Sequence, residues 1–307
     1  MVMALASFIG CNQQPAASLD VVSVFPTDGY HGFKKGDVIT IEFNRPIDPA
    51  SFTLAYASES EGLKPDQVNV SFAEDDTKVT IEPKQPLAYS PDDTYAYYSF
   101  EVGAELVDQN GNHLTEPLQV TFSTLRTLKI KVLSVPELDG SGTGLQIFPS
   151  ETVVFVGDTS GNVGVRGFLA FPWPDDAQEI AQAMLMLVCV SKQGSPFVSL
   201  GMLNIEPVSL GDDLQADDIY APALASPISD DGVGWACNPD QRLHYDTTDF
   251  ALTAWDEDLP RLDLRLRFDT ATDSDDAADL VGFFARETEE TIGPGLLPTL
   301  DLTYYGP

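Results

Sequence analysis

Positive charge is what this chain has least of. Its 307 residues carry 16 Lys and Arg against 48 Asp and Glu, a net charge of -32, and no base precedes Lys34. That excludes nucleic acid as a partner, because phosphate binding needs clustered Lys and Arg. It also excludes an anionic membrane surface as a direct partner. Histidine is nearly absent too: His31, His113 and His244 stand far apart, at no metal-ligand spacing. No Gly-x-Ser-x-Gly elbow, Walker loop or dinucleotide fingerprint occurs, so the common nucleophile and nucleotide chemistries lack support. Carboxylate pairs of the glycosidase kind carry little weight in so acidic a chain, since their separation is a three-dimensional quantity. The chain is read as non-enzymatic. Long apolar runs are missing as well; none approaches the ~20 residues that span a bilayer.

Cysteine is limited to Cys11, Cys189 and Cys237. Cys11 follows a short apolar run that ends in Gly10, and a polar tether with one proline follows it to Ser18. This is the layout of a bacterial lipoprotein signal, in which the cysteine becomes the lipid-attachment site. On that reading residues 1–18 are signal and tether. The chain is then expected at the bacterial outer membrane or cell surface, touching the membrane only through its lipid. The n-region has no Lys or Arg and Phe8 stands where such signals usually carry Leu, so an ordinary frayed terminus is the alternative. Cys189 and Cys237 then form an even pair, either a disulfide or two buried thiols, since Cys189 lies in the apolar run 184–190.

What is present in quantity is strand signal. Hydrophobic residues make up 43% of the chain, with 17 Phe and 10 Tyr, enough for packed cores. Short runs rich in Val, Ile, Phe and Tyr are punctuated by Gly, Pro and Asp: residues 38–43, 68–72, 78–82 and 95–102. Asn110-Gly111 supplies the φ > 0 positions of a hairpin in 108–112, and that turn reading outweighs a cation loop. One stretch, 175–182, looks helical. A boundary near 124–127 separates 19–126 from 127–307. The fold class is all-β, two β-sandwiches in series.

The first half resembles the bacterial Ig-like domain of the S-layer-associated type. The residues that carry this are Val22-Ser-Val-Phe-Pro-Thr-Asp-Gly29, Ile39-Thr-Ile-Glu-Phe-Asn-Arg-Pro-Ile-Asp48, Asp93-Thr-Tyr95, Asp108-Gln-Asn-Gly-Asn-His-Leu114 and Phe122-Ser-Thr124. The resemblance implies an Ig-like β-sandwich used as a spacer or interaction module. The second half resembles the DNRLRE domain, related to the family-96-type carbohydrate-binding modules. It does so through Arg166-Gly-Phe-Leu-Ala-Phe171, Ile180-Ala-Gln-Ala-Met-Leu-Met-Leu187, Asp249-Phe-Ala-Leu-Thr-Ala-Trp255, Leu264-Arg-Leu-Arg-Phe268, Phe283-Phe-Ala-Arg-Glu287 and Leu297-Pro-Thr-Leu-Asp-Leu-Thr-Tyr304. That implies a jelly-roll-like β-sandwich and a polysaccharide, or another envelope protein, as partner.

Sugar modules stack rings on exposed aromatics, and the candidates are Trp173, Trp235, Trp255, Tyr220 and Tyr245. Trp255 reads as core in an apolar strand, and Trp173 as packing at a sandwich edge. Trp235, in the Gly-rich loop 231–237, reads as the best platform, and Tyr245 is a further ligand-binding candidate. Arg286 and Glu287, at the family's Arg-Glu position, are either a ligand contact or an ion pair tying the last strands. Arg166 is expected to hold a buried carboxylate. The acid excess serves solubility in salt or binds a divalent cation. The densest cluster offers Asp269, Asp273, Asp275, Asp276 and Asp279 as calcium ligands, against a plain solvated loop. No other cofactor is expected.

Overall fold

The computed structural model describes residues 18–55, 63–73, 75–238, 241–286 and 294–307. They fall into two compact units, the first ending at Arg126 and the second spanning Thr127–Gly306. Cys11 and Glu287 lie outside the described residues. Among the described residues no helix is long and apolar enough to cross a membrane.

The first unit has strands β1 (Val21–Phe25), β2 (His31–Phe33), β3 (Ile39–Phe43), β4 (Leu54–Ala55), β5 (Val68–Ala73), β6 (Lys78–Pro83), β7 (Tyr97–Val102) and β8 (Leu118–Thr124). They form two sheets, ordered β1-β3-β6-β5 and β2-β8-β7-β4. The period of two along β3 buries Ile39, Ile41 and Phe43, while Thr40 and Glu42 stay half-exposed. Val79 and Ile81 do the same in β6, and Phe33, Phe100 and Phe122 close the core from the other sheet. The Phe33 and Phe122 rings sit 4.9 Å apart. Asp108 organises the 108–112 turn: Oδ1 accepts from the amides of Asn110 (2.8 Å) and Asn112 (2.9 Å), and Oδ2 accepts from the Asn112 side chain (2.8 Å) and Arg45 (3.2 Å). These donors hold the Asp108 carboxyl far below the usual range, the Asn112 side chain foremost.

The second unit holds β9 (Arg126–Leu133), β10 (Gly140–Gly142), β11 (Ile147–Pro149), β12 (Val153–Asp158), β13 (Gly164–Pro172), β14 (Glu179–Leu187), β15 (Cys189–Gln193), β16 (Leu203–Val208), β17 (Ile228–Asp230), β18 (Leu243–Asp246), β19 (Arg261–Phe268), β20 (Asp279–Phe284) and β21 (Thr299–Gly306), with helices α1 (Pro196–Ser199) and α2 (Thr248–Asp256). One sheet runs β15-β20-β12-β13-β19-β16-β17, with β10 and β11 attached to it. The other runs β18-β14-β21-β9. Leu262, Leu264 and Leu266 of β19 and Val154 and Val156 of β12 face Leu185, Leu187, Leu300 and Leu302 across the core. The opposite face of β19 is covered too. Leu138, Leu210, Leu214 and Ile219 from the 134–139 and 208–221 segments pack on Phe168 and Ala170. Asp263 and Arg265 are therefore buried beneath a second, smaller apolar layer.

Three local expectations change. The stretch 175–182 is not a helix: Ala177 closes a turn on Pro174, and β14 starts at Glu179, where pairing with β21 overrides the propensity of a short polar segment. The apolar run 184–190 is two strands. It passes from one sheet to the other at Val188, and because every residue in 185–189 is buried the sequence shows no alternation to mark the switch. Trp255 ends helix α2, whose buried Phe250, Ala251 and Ala254 follow the helical period.

Candidate functional site

Trp235 is not an exposed platform. Its ring is 8% exposed and meets Phe197 edge-on at 4.9 Å and Phe283 at 5.9 Å. Two local features draw the loop inward. Gly232 takes φ +68°, and a side chain there would collide with the Phe197 ring. Two residues past Trp235, the Cys237 sulfur is bonded to that of Cys189 in the core. Tyr245 is likewise buried, and its hydroxyl donates to Asp230 Oδ2 at 2.9 Å. Burial, and then the Asp230 charge, push its pKa upward. Neither residue offers a face to a ligand, which corrects the expectation for both.

Arg286 donates from Nη1 to the Ser134 carbonyl at 2.7 Å, and its amide donates to Asp139 Oδ2 at 3.2 Å. These bonds tie the end of β20 to the segment before β10, a structural job. Trp173 donates from Nε1 to the Leu259 carbonyl at 2.8 Å and meets Trp255 edge-on.

A different place has the shape of a binding site. A cavity of about 420 Å³ opens among Leu145, Asn162, Arg166, Tyr220, Arg267 and Asp269. Tyr220 ends the single 3₁₀ turn Ala216–Tyr220 and is 68% exposed. The Arg166 guanidinium lies 5.9 Å from its ring centroid. Arg166 makes no ion pair among the described residues, so it does not hold a buried carboxylate as its type led one to expect. The carboxylate nearby, Glu206, is taken by two other arginines: Oε1 accepts from Arg265 Nε at 2.7 Å and Arg267 Nε at 2.9 Å. Burial pushes the Glu206 carboxyl up, but these two partners more than offset it and hold it below its usual range. Burial lowers the Arg166 pKa, and the neighbouring charges of Arg265 and Arg267 lower it further. Arg166, Arg265 and Arg267 against the carboxylates of Glu206 and Asp269 leave the surroundings of this pocket net positive in a strongly acidic chain. The sequence offered Tyr220 and Arg166 singly; no spacing signals that 144–145, 162–167, 219–220 and 267–271 converge.

The acidic run divides. Asp269 accepts from the Met202 amide (3.0 Å) and from Asn204 Nδ2 (2.7 Å), bonds that lower its pKa. Asp276 exchanges bonds with the Asn162 side chain, 2.7 and 3.0 Å. Both are occupied in pinning loops. Asp273, Asp275 and Asp279 instead bring one carboxylate oxygen each within 4.8 Å of one another.

Residues 16–124 match the family model described as bacterial Ig-like domain, about a third of the chain. The first unit is therefore Ig-like, and the chain as a whole is all-β. No curated protein matches. Among solved structures, domains 1–6 of surface layer protein SbsC are similar at 14% identity and TM-score 0.23, over 65% of this chain and 31% of that one. SGBP-B from a complex xyloglucan utilization locus in Bacteroides uniformis is similar at 11% identity and TM-score 0.23, over 88% and 72%. The chain thus spans about a third of the SbsC fragment's length.

Proposed function

We propose that this chain is a non-catalytic protein of the bacterial cell surface, lipid-anchored at Cys11, whose second sandwich binds polysaccharide in the cavity beside Tyr220. The Ig-like unit serves as a spacer. One observation carries the reading: Tyr220 is a large exposed ring standing over an unpaired-charge guanidinium at the mouth of a cavity. An aromatic face suits the apolar C–H face of a sugar ring, and a few convergent polar groups fix its orientation. Arg166 would hold a hydroxyl or carboxylate of the chain through its planar fork, so the pocket favours acidic sugars over neutral ones.

A glycan-array screen of the full chain tests this. Binding to a set of polysaccharides, strongest for acidic ones, is expected. No binding across diverse glycans would overturn it and leave the second reading, a structural envelope protein making protein–protein contacts. Burial of Trp235 favours that second reading, since it removes the platform the sequence offered.

A further inference from the structure

Two carboxylates are buried face to face at one end of the second sandwich. Asp158 closes β12 and Asp279 opens β20, and they are antiparallel partners in register. Along β12 the residues Val154 and Val156 point into the core, and the alternation carries Asp158 to the same side; Val281 and Phe283 do this for Asp279. Directly opposed residues on one face hold their Cβ atoms about 5 Å apart. Asp158 is 0% exposed and Asp279 3%. The Asp279 amide donates to Asp158 Oδ1 at 3.2 Å, and Asp279 Oδ1 accepts from the Ser195 amide. Asp158 Oδ2 has no hydrogen-bond partner and no solvent. Neither residue, nor Asp273 or Asp275, pairs with a Lys or Arg among the described residues.

Elementary electrostatics makes this arrangement costly as it stands. Like charges directly opposite across a sheet destabilise it, and a buried carboxylate oxygen with no donor carries its full desolvation penalty. Asp273 and Asp275 add two more charges, their oxygens within 4.8 Å of the Asp279 carboxylate. Three oxygens mutually within that span lie no more than about 2.8 Å from a common centre, close to calcium–oxygen bonds of about 2.3–2.6 Å, so small side-chain movements bring all three onto one ion.

We infer that the second sandwich binds a calcium ion through Asp273, Asp275 and Asp279, with the buried, unsatisfied charge of Asp158 beside Asp279 favouring the ion without ligating it. Calcium accepts six to eight oxygens in irregular geometry, whereas magnesium demands a near-ideal octahedron at shorter distances. Carboxylates from a loop and a strand end suit the former. The ion would offset the charge of the buried pair and fasten the 269–278 loop to β20. Asp158, Asp269 and Asp276 stand outside the set of three.

Isothermal titration of the full chain with calcium chloride after chelator treatment, with a melting curve at each end point, tests the inference. One saturable site per chain and a raised Tm are expected. Asp273→Asn/Asp275→Asn changes only exposed loop residues, so it should fold; affinity should fall roughly tenfold or more and the Tm rise disappear. Asp158→Asn keeps the acceptor for the Asp279 amide. It should raise the Tm of the calcium-free protein by removing the opposed charge, and weaken calcium binding. Heat that never saturates, or an unchanged affinity in either variant, would overturn the assignment, as would magnesium binding as tightly as calcium. The readouts are independent of any glycan.

Discussion

The Trp235 indole meets the Phe283 ring edge-on at 5.9 Å, under a loop whose Cys237 is bonded to Cys189. The contact makes Trp235 part of the core of the second sandwich. Trp235→Ala should then destabilise the protein by about 3–5 kcal/mol, the usual cost of emptying a large aromatic site. Urea denaturation monitored by circular dichroism reads it. A change within ±0.5 kcal/mol, the range of surface substitutions, would put the ring at the surface.

The disulfide closes a loop of 48 residues in sequence separation. Cys189→Ser/Cys237→Ser should lower stability by about 2–4 kcal/mol, chiefly by freeing the unfolded chain. The same loss should follow when a reductant is added to the wild type, and should be absent when it is added to the double variant.

Glu206 gives the fold a pH dependence. Burial raises its carboxyl pKa, yet Arg267 and Arg265 together bring the folded value below the unfolded one, about 4.3. Its contribution is therefore complete above the unfolded value and is lost as pH falls through the folded one. Glu206→Gln should be less stable than wild type at neutral pH. The gap should close in acid, because wild type then also carries a neutral group beside two arginines. Glu206→Ala should cost about 3–5 kcal/mol at neutral pH, since it leaves Arg265 charged and buried without its partner. Urea midpoints from neutral to acid pH measure both.

Much of the first unit was legible because its strands obey simple periods. Ile39, Ile41 and Phe43 alternate with polar residues, and Asn110-Gly111 marks a turn whose Gly111 takes φ +81°. The second unit is less legible because its faces are covered by segments distant in sequence. Strand β19 alternates Leu262, Leu264 and Leu266 with charged residues, the pattern of one buried and one solvated face, yet Asp263 and Arg265 are buried under a second apolar layer built by distant segments; and the crossing at Val188 lies inside an apolar run. Helix α2 carries the spacing of Phe250, Ala251 and Ala254, but so short an apolar run fits a buried strand as well as a helix. Trp235 looked exposed because Gly-rich loops usually are. Only the Phe197 ring against Gly232 and the bond to Cys189 turn this one inward. The Tyr220 cavity and the Asp158–Asp279 pair are products of distant segments meeting, which no local pattern encodes.

The exposed ring of Tyr220, and not the buried ring of Trp235, is the proposed binding platform. The direct measurement is calorimetric titration of wild type and Tyr220→Ala with an acidic polysaccharide that scores on the array, alongside their melting temperatures. Tyr220→Ala should keep its Tm and lose affinity by the worth of one stacked ring, about 0.5–1.5 kcal/mol or more. Equal affinities in the two proteins would contradict it.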